Sequence, residues 1–249
     1  MPDPQKKAWF HGSAGQAVNI RGVRFDGSND YMTRGADLTG NADGKLGTIS
    51  FWAKLFTDGV QQFVYRDPSN VHRIVFDGAD KIEIVFSGGG TDRITLSSSG
   101  GGIDTGSGWV HIMASWDVGN NAGHLYIDDV SDESTEIISN SDIDYTRTNH
   151  RIASDVSAAD LDAELAQVYL NFSEYVDLSS ASNRRKFISA SGKPVNLGSD
   201  GSLPTGTSPI IFFDLAPGDA VSTFASNKGT GGGFTLTGSL VEASTSPSD

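Results

Sequence analysis

The chain has 249 residues, with 18 Lys and Arg against 31 Asp and Glu and a formal net charge of −13. That balance repels nucleic-acid backbones and anionic membranes, so neither is an expected partner. Cysteine is absent, which excludes a disulfide framework and thiolate zinc sites, and no apolar run approaches the ~18 residues of a membrane span. The 30 glycines call for many turns, while 13 Phe, 4 Trp and 6 Tyr supply a core. Many turns with a recurrent apolar payload predict a packed all-β domain.

Residues 1–17 are polar and carry no apolar signal segment. They are expected to form an N-terminal arm on a protein made in a cytoplasm. Residues 18–249 contain neither a linker nor a fixed-period repeat, and predict a single domain with a decorated C-terminal segment from about 190 to 249. The first strand signal is VNIRGVRFDG, ending in the turn Asp26-Gly27-Ser28. LGTISFWAKLF places Ile49, Phe51, Ala53 and Leu55 on one face and Ser50, Trp52 and Lys54 on the other, the alternation of a half-buried strand.

QQFVYRD, HRIVFDG, KIEIVFSGGG and DRITLSS follow as strands, and the Asp77-Gly78 hairpin is the strongest local signal among them. Residues 97–108 read as a loop, GWVHIMASWD and GHLYIDD as two strands, and ELAQVYLNF as another. The exception to the strand pattern is SSASNRRKFISASG, where Ser179 or Ser180 could cap a short helix near 180–189 that Gly192 ends. Ile210–Phe213 is strongly apolar, and FTLTGSL after the glycine run at 229–233 predicts a closing strand.

In this order VRFDGSNDYM, GTISFWAKL, GWVHIMASWD, GHLYIDD and AELAQVYLNFSEYVDLSSASNRRKF resemble the laminin-G-like members of the concanavalin A-like lectin/glucanase superfamily. The resemblance covers roughly residues 20–190 and implies a jelly-roll sandwich of two antiparallel sheets. It departs at Asp129, where the family usually has Gly, so a different hairpin turn is expected there. The segment from Arg184 to Phe213 and the Gly-rich FTLTG run resemble a version of the module found in bacteriophage structural proteins. That resemblance implies a non-enzymatic virion component (capsid decoration, fibre or tail accessory) made in the host cytoplasm. Its partners would be other virion proteins in an oligomeric assembly, with outward loops touching host glycans. A stand-alone carbohydrate-binding module is the alternative.

Three constellations carry candidate chemistry. Asp26, Asn29 and Asp30 in FDGSNDY offer oxygens within one bend. By the resemblance, Glu164 occupies the place of a family Asp near it, so the four are candidate ligands for a structural Ca²⁺; an ordinary turn that bonds its own backbone explains the bend equally well. Trp9, Tyr65, Tyr145 and His150 are expected in loops or at strand ends, where an aromatic ring could stack on a sugar, although packing is the simpler role for each. Trp52, Trp109 and Trp116 lie inside strands and are expected in the core. Finally, Asp160, Asp162 and Glu164 alternate like the carboxylates of the superfamily's glycoside hydrolases, the weakest of the three readings. KGTGGGF at 228–234 lacks the Gly-Lys-Ser/Thr ending of a phosphate loop, and no Gly-x-Ser-x-Gly elbow is present.

Overall fold

The computed structural model describes residues 18–69, 71–100, 102–155 and 161–249. In chain order its strands are β1 (Val23–Asp26), β2 (Tyr31–Arg34), β3 (Leu46–Leu55), β4 (Gln62–Arg66), β5 (His72–Phe76), β6 (Ile82–Gly88), β7 (Thr91–Ser98) and β8 (Val110–Asp117). There follow β9 (Ala122–Ile127), β10 (Val130–Ser131), β11 (Glu133–Ile138), β12 (His150–Ile152) and β13 (Asp162–Asn171). After the single-turn helix α1 (Ala181–Arg184) come β14 (Ile211–Phe213), β15 (Thr235–Thr237) and β16 (Val241–Glu242). The helix is thus shorter than the sequence suggests, and Ser180 at its N-cap bonds Ser182 Oγ rather than capping the helix backbone. The predicted arm 1–17 lies outside the described residues.

Two antiparallel sheets face each other. The first runs β10-β9-β8-β3-β13-β1-β16, with β14 also on β13; the second runs β11-β7-β6-β5-β4-β12-β2-β15. The expected sandwich is therefore observed. Ile49, Phe51, Ala53 and Leu55 of β3 point between the sheets, as their alternation requires, and meet Ile74, Phe76, Ile84 and Phe86 from the second sheet. The opposite face of β3 is not the solvated one its alternation predicts. Trp52 is buried, as expected, and Ser50 is as buried as the core face, because residues 174–213 fold back over the first sheet. Val176, Leu178, Phe187, Val195 and Phe212 build this second apolar layer against Trp52, Met113 and Tyr169. That segment is mostly irregular, so period-based reading saw decoration where the fold has a third layer.

The hairpin between β9 and β10 explains the departure at Asp129. Asp128 and Asp129 both adopt left-handed φ, +48° and +68°, the geometry a two-residue primed turn needs and glycine usually supplies. Here the carboxylate compensates. Asp129 accepts from Arg184 Nε at 2.6 Å and pairs with Arg185, so the turn anchors the covering segment at its helix. Burial raises the Asp129 pKa, but the hydrogen bonds and charges of Arg185 and Arg184 outweigh it and hold the carboxyl below its usual range. A depressed native pKa adds stability above the unfolded value and loses it as pH falls through the native one. Asp129→Asn, which keeps a residue tolerant of left-handed φ, is therefore expected to lower the melting temperature at neutral pH and by less under acid conditions that protonate the carboxyl. Thermal melts at the two pH values check this; equal losses would show that the charge does not anchor the segment.

Candidate functional site

The residues expected to meet a sugar are not on the surface. Tyr65, Tyr145 and His150 are 1%, 1% and 0% exposed. Their polar atoms are consumed inside the sandwich. His150 Nε2 must donate to the Arg147 carbonyl, 2.8 Å away, so its Nδ1 accepts from the Tyr65 hydroxyl at 2.9 Å. Tyr145 donates to the Leu46 carbonyl and accepts from Trp116 Nε1, both at 2.8 Å, while its ring stacks on Phe172. Burial lowers the His150 pKa and raises both phenols. These three residues are core struts, so their expected role as sugar contacts is corrected here. Trp9, the fourth, lies outside the described residues.

The proposed calcium ligands are likewise spent on the fold. Asp26 Oδ1 accepts from the backbone N–H groups of Ser28 and Asn29 at 2.8 and 3.1 Å. These hydrogen bonds, from Asn29 and then Ser28, hold its carboxyl below the usual range. Asn29 is exposed beside it, whereas Asp30 is buried and receives the Ser239 N–H at 2.7 Å. Glu164 is 1% exposed; it accepts from the Ser244 N–H at 2.6 Å and pairs with Lys54 at 3.4 Å. A Ca²⁺ ion needs about 6–8 converging oxygens. The four residues do not supply them, and among the described residues no group of three or more His, Asp or Glu is placed to hold a metal ion. The hydrolase-like carboxylates fare similarly. Asp162 is paired with Arg24 and hydrogen-bonded by Thr57, Glu164 is covered by Ser244, and Asp160 lies outside the described residues.

The structure instead assembles a pocket on the outer face of the first sheet. Trp52 of β3 and His111 of β8 are in register, and their ring centroids lie 4.6 Å apart. Trp109 stands immediately before β8, half-buried, with its ring against Gly22. A Cβ at Gly22 would come within 2.6 Å of that ring, so only glycine lets the indole lie there. The C-terminal residues close the far side. Thr245 Oγ1 accepts from Trp109 Nε1 at 3.0 Å, and Ser246 and Ser248 donate to the Ile20 and Val18 carbonyls. The result is a pocket of about 370 Å³ lined by Trp52, Trp109, Asp128, Lys193, Thr245 and Asp249.

Two buried atoms beside it have no hydrogen-bond partner among the described residues, Trp52 Nε1 and His111 Nδ1. Leaving such a group unpaired costs about 1–3 kcal/mol, and both atoms are sealed beneath the pocket rather than open to it. His111 Nε2 is 2.8 Å from Ser50 Oγ, a spacing seen between nucleophile and base. The pair is unsuited to catalysis. Both residues are buried, no carboxylate orients Nδ1 among the described residues, and burial pushes the imidazole down to about 3. What remains is a binding surface: the Trp109 and Trp52 indoles with the side chains of Asp128, Asp249, Lys193, Thr245 and Ser246 around one concavity. Sequence reading missed Trp109 by placing it inside a strand. The Ser107-Gly108 pair was the turn signal that the strand starts only after Trp109, at Val110.

The model of the family described as Concanavalin A-like lectin/glucanases superfamily matches residues 26–171. Among solved structures, a Bacteroides ovatus ATCC 8483 protein described as a candidate carbohydrate-binding protein aligns with TM-score 0.62 at 11% identity. The alignment covers 92% of this chain, which spans only 62% of that protein's length. The heptameric SAP-like pentraxin from Limulus polyphemus aligns with TM-score 0.53 at 10% identity, covering 90% of this chain and 95% of its own. At such identities the likeness is one of fold. No curated protein sequence matches the chain.

The corrected role of Tyr145 is open to direct measurement. Tyr145→Phe keeps the ring but strands Trp116 Nε1 and the Leu46 carbonyl, so it is expected to destabilise the fold by about 2–3 kcal/mol in denaturant melts. A loss below about 0.5 kcal/mol would show that the hydroxyl is not a strut.

Proposed function

We propose that this chain, which belongs to the Concanavalin A-like lectin/glucanases superfamily, is a non-enzymatic carbohydrate-binding module that takes a neutral saccharide against the half-buried Trp109, with Trp52 buried behind it. The observation that carries the reading is the pocket itself: the half-buried Trp109 indole, backed by the buried Trp52 and rimmed by Asp128, Lys193, Thr245 and Asp249. An aromatic wall accepts the apolar face of a sugar ring, while the rim's donors and acceptors meet its hydroxyls. The description of the Bacteroides ovatus protein as carbohydrate binding supports the same reading. Catalysis is disfavoured by the state of the carboxylates, since Glu164 is sealed under Ser244 and Asp162 is neutralised by Arg24.

Trp109→Ala is expected to weaken binding of a neutral oligosaccharide by at least about tenfold, since buried aromatic anchors dominate such sites. Lys193→Ala, on a half-buried side chain, is the companion variant should loss of the indole disturb the fold. Intrinsic tryptophan fluorescence and a glycan array read the effect. A folded Trp109→Ala chain that binds as well as the parent, or a parent that binds no neutral glycan on a broad panel, would sink the reading.

The setting we infer is a bacteriophage virion, in which the module is a decoration, fibre or tail accessory within an oligomeric assembly. The phage-like run from Arg184 to Phe213 supports this, and in the fold it forms much of the layer over the first sheet. Of the two terminal segments, residues 239–249 are bonded into the domain, and we assign the scaffold contact to 1–17. Deleting 1–17 is expected to abolish incorporation into particles while leaving the melting temperature unchanged; particles that retain the truncated chain would overturn the assignment.

A further inference from the structure

We propose a second binding site, on the outer face of the second sheet, that takes the anionic group of a carboxylated or sulfated sugar. It does not depend on the tryptophan pocket. The site is a groove of about 250 Å³ between β2 and β12, lined by Tyr31, Thr33, Arg34, Gly35, Asn149 and Arg151. Arg151 stands in this lining beside Thr33, Arg34 borders it from the next position of β2, and no Asp or Glu lines it, in a chain where acids outnumber bases 31 to 18.

Carboxylates are not scarce elsewhere. Arg21 meets Glu242, Arg24 meets Asp162, Arg147 meets Asp67 and Asp144, and Arg184 and Arg185 share Asp129. Among the described residues Arg34 and Arg151 form no ion pair. Arg34 is held by neutral acceptors: the Asp37 carbonyl at 2.8 and 3.0 Å, the Gly233 carbonyl at 3.1 Å and Thr39 Oγ1 at 3.1 Å. Those bonds fix the guanidinium without neutralising it. Arg151 makes only long contacts, to Ser154 Oγ at 3.5 Å and the Asp155 carbonyl at 3.4 Å, and its buried Nε has no partner among the described residues.

Strand register sharpens the point. Thr33, Arg151, Arg66 and Arg73 are successive partners across β2, β12, β4 and β5, which puts three arginines side by side on one face. Like charges directly opposite one another destabilise a sheet. Arg66 is offset by Asp155 and Arg73 by Glu83, so the charge left over falls on Arg151, at the groove. Arginine matches a carboxylate or sulfate edge through paired N–H donors, and Asn149 and Thr33 supply polar groups beside it. The chain's overall negative charge does not prevent this, because charges beyond about 8 Å are screened at physiological salt.

The test is titration calorimetry of the full chain with an oligogalacturonate, a sulfated disaccharide and a neutral cello-oligosaccharide at low and high salt. An acidic probe is expected to bind and to weaken with salt. Binding of both acidic probes supports a general oxyanion site, and binding of one alone assigns its group. Asn149→Asp sets a carboxylate in the groove at an exposed residue whose φ of +60° aspartate tolerates. It is expected to weaken acidic binding about tenfold or more, as is Arg151→Gln, whereas Trp109→Ala leaves it unchanged. If neither acidic probe binds, if the neutral probe competes equally, or if Asn149→Asp has no effect, the proposal is overturned. Loss of acidic binding in Trp109→Ala would overturn it as well, by moving the acidic sugar to the tryptophan pocket.

Discussion

The central strand β13 is buried on both faces, like its neighbour β3, and a single extra residue shifts its register midway. Between Ala166 and Tyr169 the strand advances three residues while β3 advances two, from Trp52 to Ser50. Gln167 occupies the bulge at φ +46°, a left-handed conformation that costs a non-glycine residue about 1–2 kcal/mol. Before the bulge, Ala163 and Leu165 face the sandwich; after it Val168 and Leu170 do, while Ala166 and Tyr169 turn outward. The shift lets the first half of β13 pair with β1 and the second half with β14. Gln167 then donates from Nε2 to the Val195 carbonyl, tying the bulge to the layer it admits. Burying one side chain such as Phe212 or Tyr169 is worth about 1.5–3 kcal/mol, so the covering layer readily offsets the strain.

That layer decides where a site can form. Residues 174–213 cover the middle of the first sheet, and the C-terminal residues run back along Val18–Gly22. The tryptophan pocket is the gap between these two coverings. Its walls come from segments far apart in sequence, and its existence requires both to be docked. The Glu164–Ser244 bond therefore has a clear purpose, since a buried carboxylate next to Lys54 pins the tail at the pocket's margin. A residue that resembled a catalytic or calcium-binding acid is a fastening.

The sandwich was legible because its signal is local. Alternation in Leu46–Leu55 and the Asp77-Gly78 turn act over a few residues, where side-chain period and turn chemistry dominate. Burial of the polar-looking face of β3 was not legible. Trp52 was expected in the core as an indole inside a strand, but Ser50 beside it is covered by chain more than a hundred residues away, and nothing in the alternation encodes a cover. The same limit left Tyr65, Tyr145 and His150 open between packing, the simpler role, and a sugar contact. Aromatic residues beside polar neighbours look like surface contacts, whereas here each polar atom finds a buried partner through the fold's long-range connections. The Asp26 bend was read evenly between metal and turn, and its carboxylate follows the turn.

The two faces of the sandwich also differ in what maintains them. The pocket on the first sheet depends on tertiary docking of irregular chain, held by side-chain hydrogen bonds such as Trp109 to Thr245. The groove on the second sheet depends on backbone register, which a one-residue slip would destroy along with the core face of Met32 and Ile152. Register is therefore protected by the same burial that stabilises the domain. In an acid-rich chain an arginine left without a carboxylate is no product of shortage. Arg151 sits in a row whose neighbours Arg66 and Arg73 each have one, so its open charge belongs to the pattern of the sheet rather than to chance placement on a mobile loop.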